Sequence, residues 1–187
     1  MSESRDVAVL VGSLRRASWT RRIAVALGTL APPALKLEIV EIGELPLYNE
    51  DLEAAEPEPW RRFRDRLRRA DAVLFATPEY NRSVPSVLKN AIDVGSRPYG
   101  KSVYSRKPEA VVSVSPGALA AFGANHHLRQ SLVFLDMPTL QQPEAYIGGV
   151  AKLVDEQGNI TNDGTREFLT AFMAAFARWI DLQRSGS

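Results

Sequence analysis

Gly12, Ser13, Arg15, Ser18 and Thr20 are the residues of this chain whose types and spacing best suit the binding of an anion, and they follow the apolar run 7–11 directly. A glycine lets the backbone turn sharply, and the hydroxyls and N–H groups at the start of a helix face whatever lies beyond it. Arginine adds a charge-assisted, bidentate donor. A helix N-terminus favours an anion by about 0.3–1 kcal/mol, and a phosphate carrying about −1.5 to −2 charges makes several such contacts at once. An ordinary strand–loop–helix capped by Ser18 uses the same residues. Taken alone, the stretch allows both. It matches neither G-x-x-x-x-G-K-[ST] nor G-x-G-x-x-G, which excludes the usual triphosphatase loop and dinucleotide fingerprint.

Two more candidate loops follow apolar runs: Pro78-Glu-Tyr-Asn81 after residues 72–77, and Ser115-Pro-Gly117 at the end of 109–115. Backbone amides after a proline-fixed turn can meet the polar edge of a flat heteroaromatic ring, with Tyr80 in apolar contact. The candidate contacts in the first loop are Ser13, Leu14, Arg15, Ser18, Trp19 and Thr20; in the other two they are Pro78, Glu79, Tyr80, Asn81, Ser115 and Gly117. His126-His127 lacks the i, i+4 spacing of a helical metal pair, and no third ligand accompanies it, so no metal is expected.

The elements that must position these loops read off the periodicity. Residues 7–11, 37–42, 72–77 and 109–115 read as strands, with a fifth from 139–142 and 145–147 interrupted by Pro143. Helices are expected over 18–30, 60–70, 86–94, 122–135 and about 164–183, the last with Phe168, Leu169, Phe172, Met173, Phe176, Trp179 and Ile180 on a buried face. Residues 43–59 read as a long polar loop, and the six arginines at 61, 62, 64, 66, 68 and 69 as mostly a solvated face. Strictly alternating strands and helices predict an α/β doubly wound, five-stranded parallel sheet of order 2-1-3-4-5 with helices on both faces. In that order the strands behind the three loops are neighbours.

Composition narrows the function. The 187 residues fit a single domain with a full core. With 23 Lys and Arg against 22 Asp and Glu, nothing in the total charge points to nucleic acid or an anionic membrane, and no aromatic interleaving accompanies the arginine-rich stretch. The absence of cysteine excludes a thiolate nucleophile and Cys-based zinc or iron–sulfur sites. No secretory leader or spanning segment is read, so a cytoplasmic protein is expected. A phosphate cradle beside a slot for a flat, polar-edged ring implies a bound mononucleotide, and flavin mononucleotide (FMN) fits best.

Gly12-Ser-Leu-Arg15 with Ser18, Pro78-Glu-Tyr-Asn81, Val84-Pro85 and Leu88-Lys-Asn-Ala-Ile-Asp93 resemble the NAD(P)H-dependent FMN reductase family. His127-Leu-Arg-Gln130, Val133-Phe-Leu-Asp136, Pro143-Glu144 and Gly148-Gly-Val150 resemble its bacterial chromate and quinone reductase branch. The resemblance implies a flavodoxin-like fold. It also implies FMN phosphate on Ser13, Arg15, Ser18 and Thr20, and the isoalloxazine against 78–81 and Ser115. NADPH or NADH would reduce that flavin, which would pass electrons to a quinone-like acceptor, and to chromate, azo compounds or free flavin. A flavodoxin-type carrier without turnover, or a flavin-free domain on the same scaffold, are the other readings. The branch forms dimers and dimers of dimers across the helices after strands three and four, which implies a subunit contact for His126 and Glu144. This chain departs from the pattern at Thr20, where the family has Asn, at Ala120-Ala121 in place of a Gly pair, and at Arg106-Lys-Pro108 in place of Gly-Lys-Pro.

Overall fold

Strand β1 (Arg5–Val11) is the axis of the molecule, and Val7 to Leu10 are wholly buried because neighbouring strands and helices cover both of their faces. The computed structural model describes residues 4–185. Around β1 the chain adds α1 (Trp19–Leu30), β2 (Leu35–Ile39), α2 (Glu58–Arg69), β3 (Ala72–Thr77), α3 (Ser86–Gly95), β4 (Glu109–Val114), α4 (Phe122–Phe134), β5 (Ala145–Ile147) and α5 (Asp163–Ser185). Short 3₁₀ turns occupy Glu50–Ala55 and Val150–Lys152. The five strands form one sheet of order β2-β1-β3-β4-β5, every pairing parallel, as the alternation predicts.

Side-chain alternation along the strands divides the core. Val7, Val9 and Val11 face α1 and α5, where Ile23, Leu27, Phe172 and Phe176 close one layer. Ala8 and Leu10 face α2, α3 and α4, where Trp60, Phe63, Leu88 and Leu128 close the other. Ser18 caps α1 by accepting the Arg21 N–H at 3.1 Å, and Arg66, Arg68 and Arg69 sit in the last turn of α2, where cations suit the helix dipole.

Four expectations change. Strand β2 runs over Leu35–Ile39 and not 37–42, because the chain turns back at once after Pro33, with the Leu35 N–H donating to Pro32 and the Arg5 N–H to Ala34. Beyond Ile39, Val40 and Ile42 pass into the opposite core layer. The 139–142 half of the fifth strand is absent: Thr139 makes one isolated bridge to Glu109, and Pro143, with no N–H, cannot carry the ladder on to Ala145. The 43–59 loop is packed and partly helical. Asn90 accepts from the Tyr48 N–H at 2.8 Å and donates to Leu45 O, while Trp60 Nε1 donates to Pro46 O at 2.9 Å beneath the stacked Tyr48 ring. Lastly, Arg64 does not join the solvated face. It is 2% exposed, with Nε on Val94 O at 2.9 Å and one terminal nitrogen on Glu56 at 2.6 Å.

Candidate functional site

The three loops lie together at the carboxyl edge of β1, β3 and β4. The Gly12 N–H donates to Ala76 O at 2.8 Å, and a Cβ on Gly12 would lie 3.1 Å from Pro78 Cδ and 3.2 Å from Leu88 Cδ2. A side chain there would press on both the second loop and α3. Gly123, at the start of α4, stands equally close to the second loop: its Cβ would come within 2.9 Å of Glu79 Oε2 and 3.0 Å of Arg82 O.

Loop 12–18 presents donors without acceptors. Among the described residues, the N–H groups of Ser13, Leu14, Arg15, Arg16 and Ala17 reach no protein acceptor, and the hydroxyls of Ser13 and Thr20 have no partner. Ser18 Oγ accepts from Arg21 N–H, which leaves its hydroxyl proton free to donate outward. Arg15 is exposed and makes no ion pair among the described residues, whereas Arg21 is held on Glu41. A run of open N–H groups, three hydroxyls and an uncommitted guanidinium at a helix N-terminus form a cradle for a dianion. Leu14 reaches over to Gly43, where a Cβ would lie 3.0 Å from its Cδ2. Trp19 contributes its backbone alone to this cradle, since its ring packs on the core beneath the Arg22 guanidinium at 4.4 Å.

The second loop is a two-residue hairpin. Tyr80 and Ser83 exchange both backbone hydrogen bonds, at 3.1 and 3.0 Å, and Asn81 and Arg82 hold φ of 51° and 63° between them. Asn tolerates that conformation; Arg is strained in it. Pro78 leads in, Tyr80 stands 49% exposed, and the N–H groups of Glu79 and Asn81 remain open among the described residues. The Glu79 side chain turns away from this edge. One oxygen accepts the Ala124 N–H at 3.1 Å and the other meets Arg82 at 3.2 Å.

The third loop begins at Ser115, whose Oγ accepts the Gly117 N–H at 3.0 Å and whose carbonyl accepts from Val150 at 3.3 Å. It ends in Ala120 and Ala121, at φ 52° and 58°, where the resemblance expects glycines. Arg106, a third departure from the family pattern, likewise holds φ 61°. The loop closes on Gly148, whose Cβ would lie 3.1 Å from Ala118 O and 3.2 Å from Gly117 O. Beneath it, Ser113 and Asn125 are fully buried, and Ser113 Oγ donates to Ala120 O at 2.8 Å. Sequence reasoning missed Ser113, Gly123, Asn125 and Arg129. The available signal was Ser113 itself, a polar side chain inside a strand that is buried along its whole length. His126 and Tyr146 lie beside this loop, with the phenol 3.1 Å from His126 Nε2; burial first, then Glu144, pushes Tyr146 up to about 12.

Similarity to known proteins agrees with this geometry. Residues 5–152 match the family model described as NADPH-dependent FMN reductase. The chain belongs to that family. A quinone reductase of Pseudomonas putida is 66% identical over 99% of this chain and 100% of its own length. A 2-hydroxy-1,4-benzoquinone reductase of a Burkholderia species is 45% identical over 93% of this chain and 95% of its own. The solved structure of FerB, a flavoenzyme NAD(P)H:(acceptor) oxidoreductase from Paracoccus denitrificans, superposes with a TM-score of 0.91 at 42% identity, covering 96% of this chain and 98% of that one. As a member of the family the chain is an oxidoreductase that uses FMN and NAD(P)H, on a flavodoxin-like fold. The residues present fit FMN: the open cradle suits its phosphate, and the open N–H groups of the second loop suit a ring with a polar edge.

Proposed function

We propose that this chain is an NAD(P)H:quinone oxidoreductase whose FMN phosphate is held by Ser13, Arg15, Ser18 and Thr20 with the N–H groups of Leu14 and its neighbours. The flavin ring then lies against Pro78, Glu79, Tyr80 and Asn81 on one side and Ser115 and Gly117 on the other. The observation that carries this reading is the run of unsatisfied donors in loop 12–18, at the switch point of the sheet, in a chain of the FMN reductase family. Full-length relatives named as quinone reductases support the choice of acceptor.

When bound, FMN supplies two-electron chemistry, so that NAD(P)H, a proton and a quinone become NAD(P)⁺ and a hydroquinone. The chain supplies placement and electrostatics. Arg15 and the N-terminus of α1 offset the phosphate charge, and the 80–83 hairpin offers backbone donors to the ring edge. Tyr80, half exposed, gives an incoming flat ring an apolar neighbour. A carrier without turnover is not favoured, since the relatives are named reductases.

A second copy of the chain suits the groove between α3 and α4. It encloses about 600 Å³, lined by Ser83, Ile92, Gln130 and Phe134, and Val133 and Phe134 are largely exposed beside it. A homodimer or homotetramer would cover the exposed Val133 and Phe134, and light scattering that returns a 20.6 kDa particle at working concentration would refute it. A cytoplasmic setting, where NAD(P)H is available, accompanies the reading. The decisive assay is steady NAD(P)H oxidation by FMN-loaded protein with 1,4-benzoquinone, then with chromate, an azo dye and free FMN. No turnover with any quinone would sink the enzyme reading, and a protein left colourless after incubation with FMN would sink the flavin reading.

A further inference from the structure

Both loops that border the ring are tied to the first turn of α4, each by a separate polar link. On one side Glu79, its side chain only 13% exposed, reaches from the 80–83 hairpin and accepts the Ala124 N–H at 3.1 Å. That N–H belongs to the positive end of a helix whose own N-cap, Ala121, supplies no side-chain acceptor. On the other side Ser113 Oγ donates to Ala120 O at 2.8 Å and accepts from Asn125 Nδ2 at 3.3 Å, and Asn125 Oδ1 accepts from Arg129 Nε at 2.9 Å. Arg129 is anchored in turn on Leu140 O at 3.3 Å. Ala120 and Ala121 hold left-handed backbone, which an L-residue disfavours, so this loop keeps its shape only where its surroundings impose it. Between the two links stands Gly123, where a Cβ would come 2.9 Å from Glu79 Oε2 and 3.0 Å from Arg82 O and so push on both.

We propose that Glu79, together with the Ser113–Asn125–Arg129 chain, acts as a pair of positioning struts that fix the width of the slot between the 78–81 and 115–117 loops. The packing of the first turn of α4 against the hairpin and against β4 thereby sets how tightly a flat ring is held. These residues act through the loops and touch no reacting atom. The inference rests on the reading that the flavin ring occupies this slot.

Flavin-stripped full-length protein is titrated with FMN by fluorescence quenching, the visible band of the bound flavin is recorded, and the flavin-free form is melted. Glu79→Ala, Ser113→Ala and Gly123→Ala are expected to weaken FMN at least tenfold and shift the visible band; flavin-free Glu79→Ala should melt near the parent, and the other two variants below it. Glu79→Gln, which keeps an acceptor for the Ala124 N–H, is expected within about threefold of the parent, the rescue that a slot-width role requires. Arg15→Ala serves as the reference for the phosphate end. If Arg15→Ala weakens FMN while Glu79→Ala and Gly123→Ala bind it like the parent, the strut inference fails and the site reading survives. If Arg15→Ala binds FMN unchanged while Glu79→Ala weakens it, the cradle reading fails and the struts stand. A fall in melting temperature with unchanged affinity and spectrum would show a purely structural role and overturn the proposal. Should Glu79→Ala fail to fold, Ser113→Ala and Gly123→Ala decide between the same outcomes.

Discussion

Arg15→Ala is the sharpest probe of the cradle, because Arg15 has no task in the fold. Its side chain is exposed and makes no ion pair among the described residues, so its removal should leave the melting temperature of the flavin-free protein unchanged. Its expected task is a charge-assisted, forked contact to a phosphate. A hydrogen bond to a charged group contributes about 1.5–3 kcal/mol. At about 1.4 kcal/mol per tenfold change, that corresponds to a roughly 12- to 140-fold weaker FMN Kd. Exposure places the effect in the lower part of the range, since water and salt screen the charge over about 8 Å at 0.15 M ionic strength. An increase of about 10- to 30-fold is expected there, and a larger one at low salt. Arg15→Lys should fall between, because it keeps the charge and loses the fork. The assay is flavin fluorescence quenching at two salt concentrations. An unchanged Kd in a folded Arg15→Ala protein, or a loss that does not grow as salt is lowered, would refute the phosphate contact.

Other outcomes follow from the packing. Phe172 is 1% exposed against the β1 face, so Phe172→Ala should cost about 3–5 kcal/mol and lower the melting temperature by roughly 6–20 °C in a chain of this size. Glu109 is fully buried at the start of β4 with both oxygens unpartnered, and burial holds its carboxyl up at about 7, while the nearby Thr139 hydroxyl and Arg129 guanidinium pull it back down. The folded chain therefore keeps a proton that the unfolded chain releases near 4.5, so the stability contributed below that pH should be lost as pH rises to about 7. Melts from pH 4.5 to 8 should show this slope in the parent and a flatter one in Glu109→Gln; equal slopes would exclude Glu109 as its source. Arg64 is buried with one terminal nitrogen unpartnered, so Arg64→Met should cost less than Glu56→Ala, which leaves the buried guanidinium without its carboxylate. Urea titrations that rank them the other way would count against that reasoning.

The legible parts are those whose cause is local. Ala72–Thr77 is readable as a strand to the residue, because a buried parallel strand is a continuous apolar run and its neighbours, Ala70-Asp71 and Pro78, break the pattern. Ser18 is readable as the cap of α1, and the anion cradle follows from residue types that lie within nine positions of one another. Strand five misleads because 139–142 has strand-like composition, yet the missing N–H of Pro143 outweighs it. Arg64 misleads because spacing reports which face of a helix a residue shares, not what covers that face. Here the C-terminal end of α3 covers it, and Val94 O accepts the guanidinium.

What the sequence determined by itself is therefore the order of strands and helices, the three loops and the class of ligand they suit, since each depends on residues adjacent in the chain. The tertiary structure alone decided how the loops are held to one another. Glu79 reads in the sequence as a candidate ring contact, yet its carboxylate turns to the first turn of α4, 45 positions away. Ser113 meets Ala120 and Asn125 only because β4 and α4 pack together, and Gly123 is crowded only because Glu79 and Arg82 O lie opposite. Such contacts have no local signature. The free energy of a buried polar link depends on what surrounds it in space, and the chain carries no record of that until the helix is laid on the sheet.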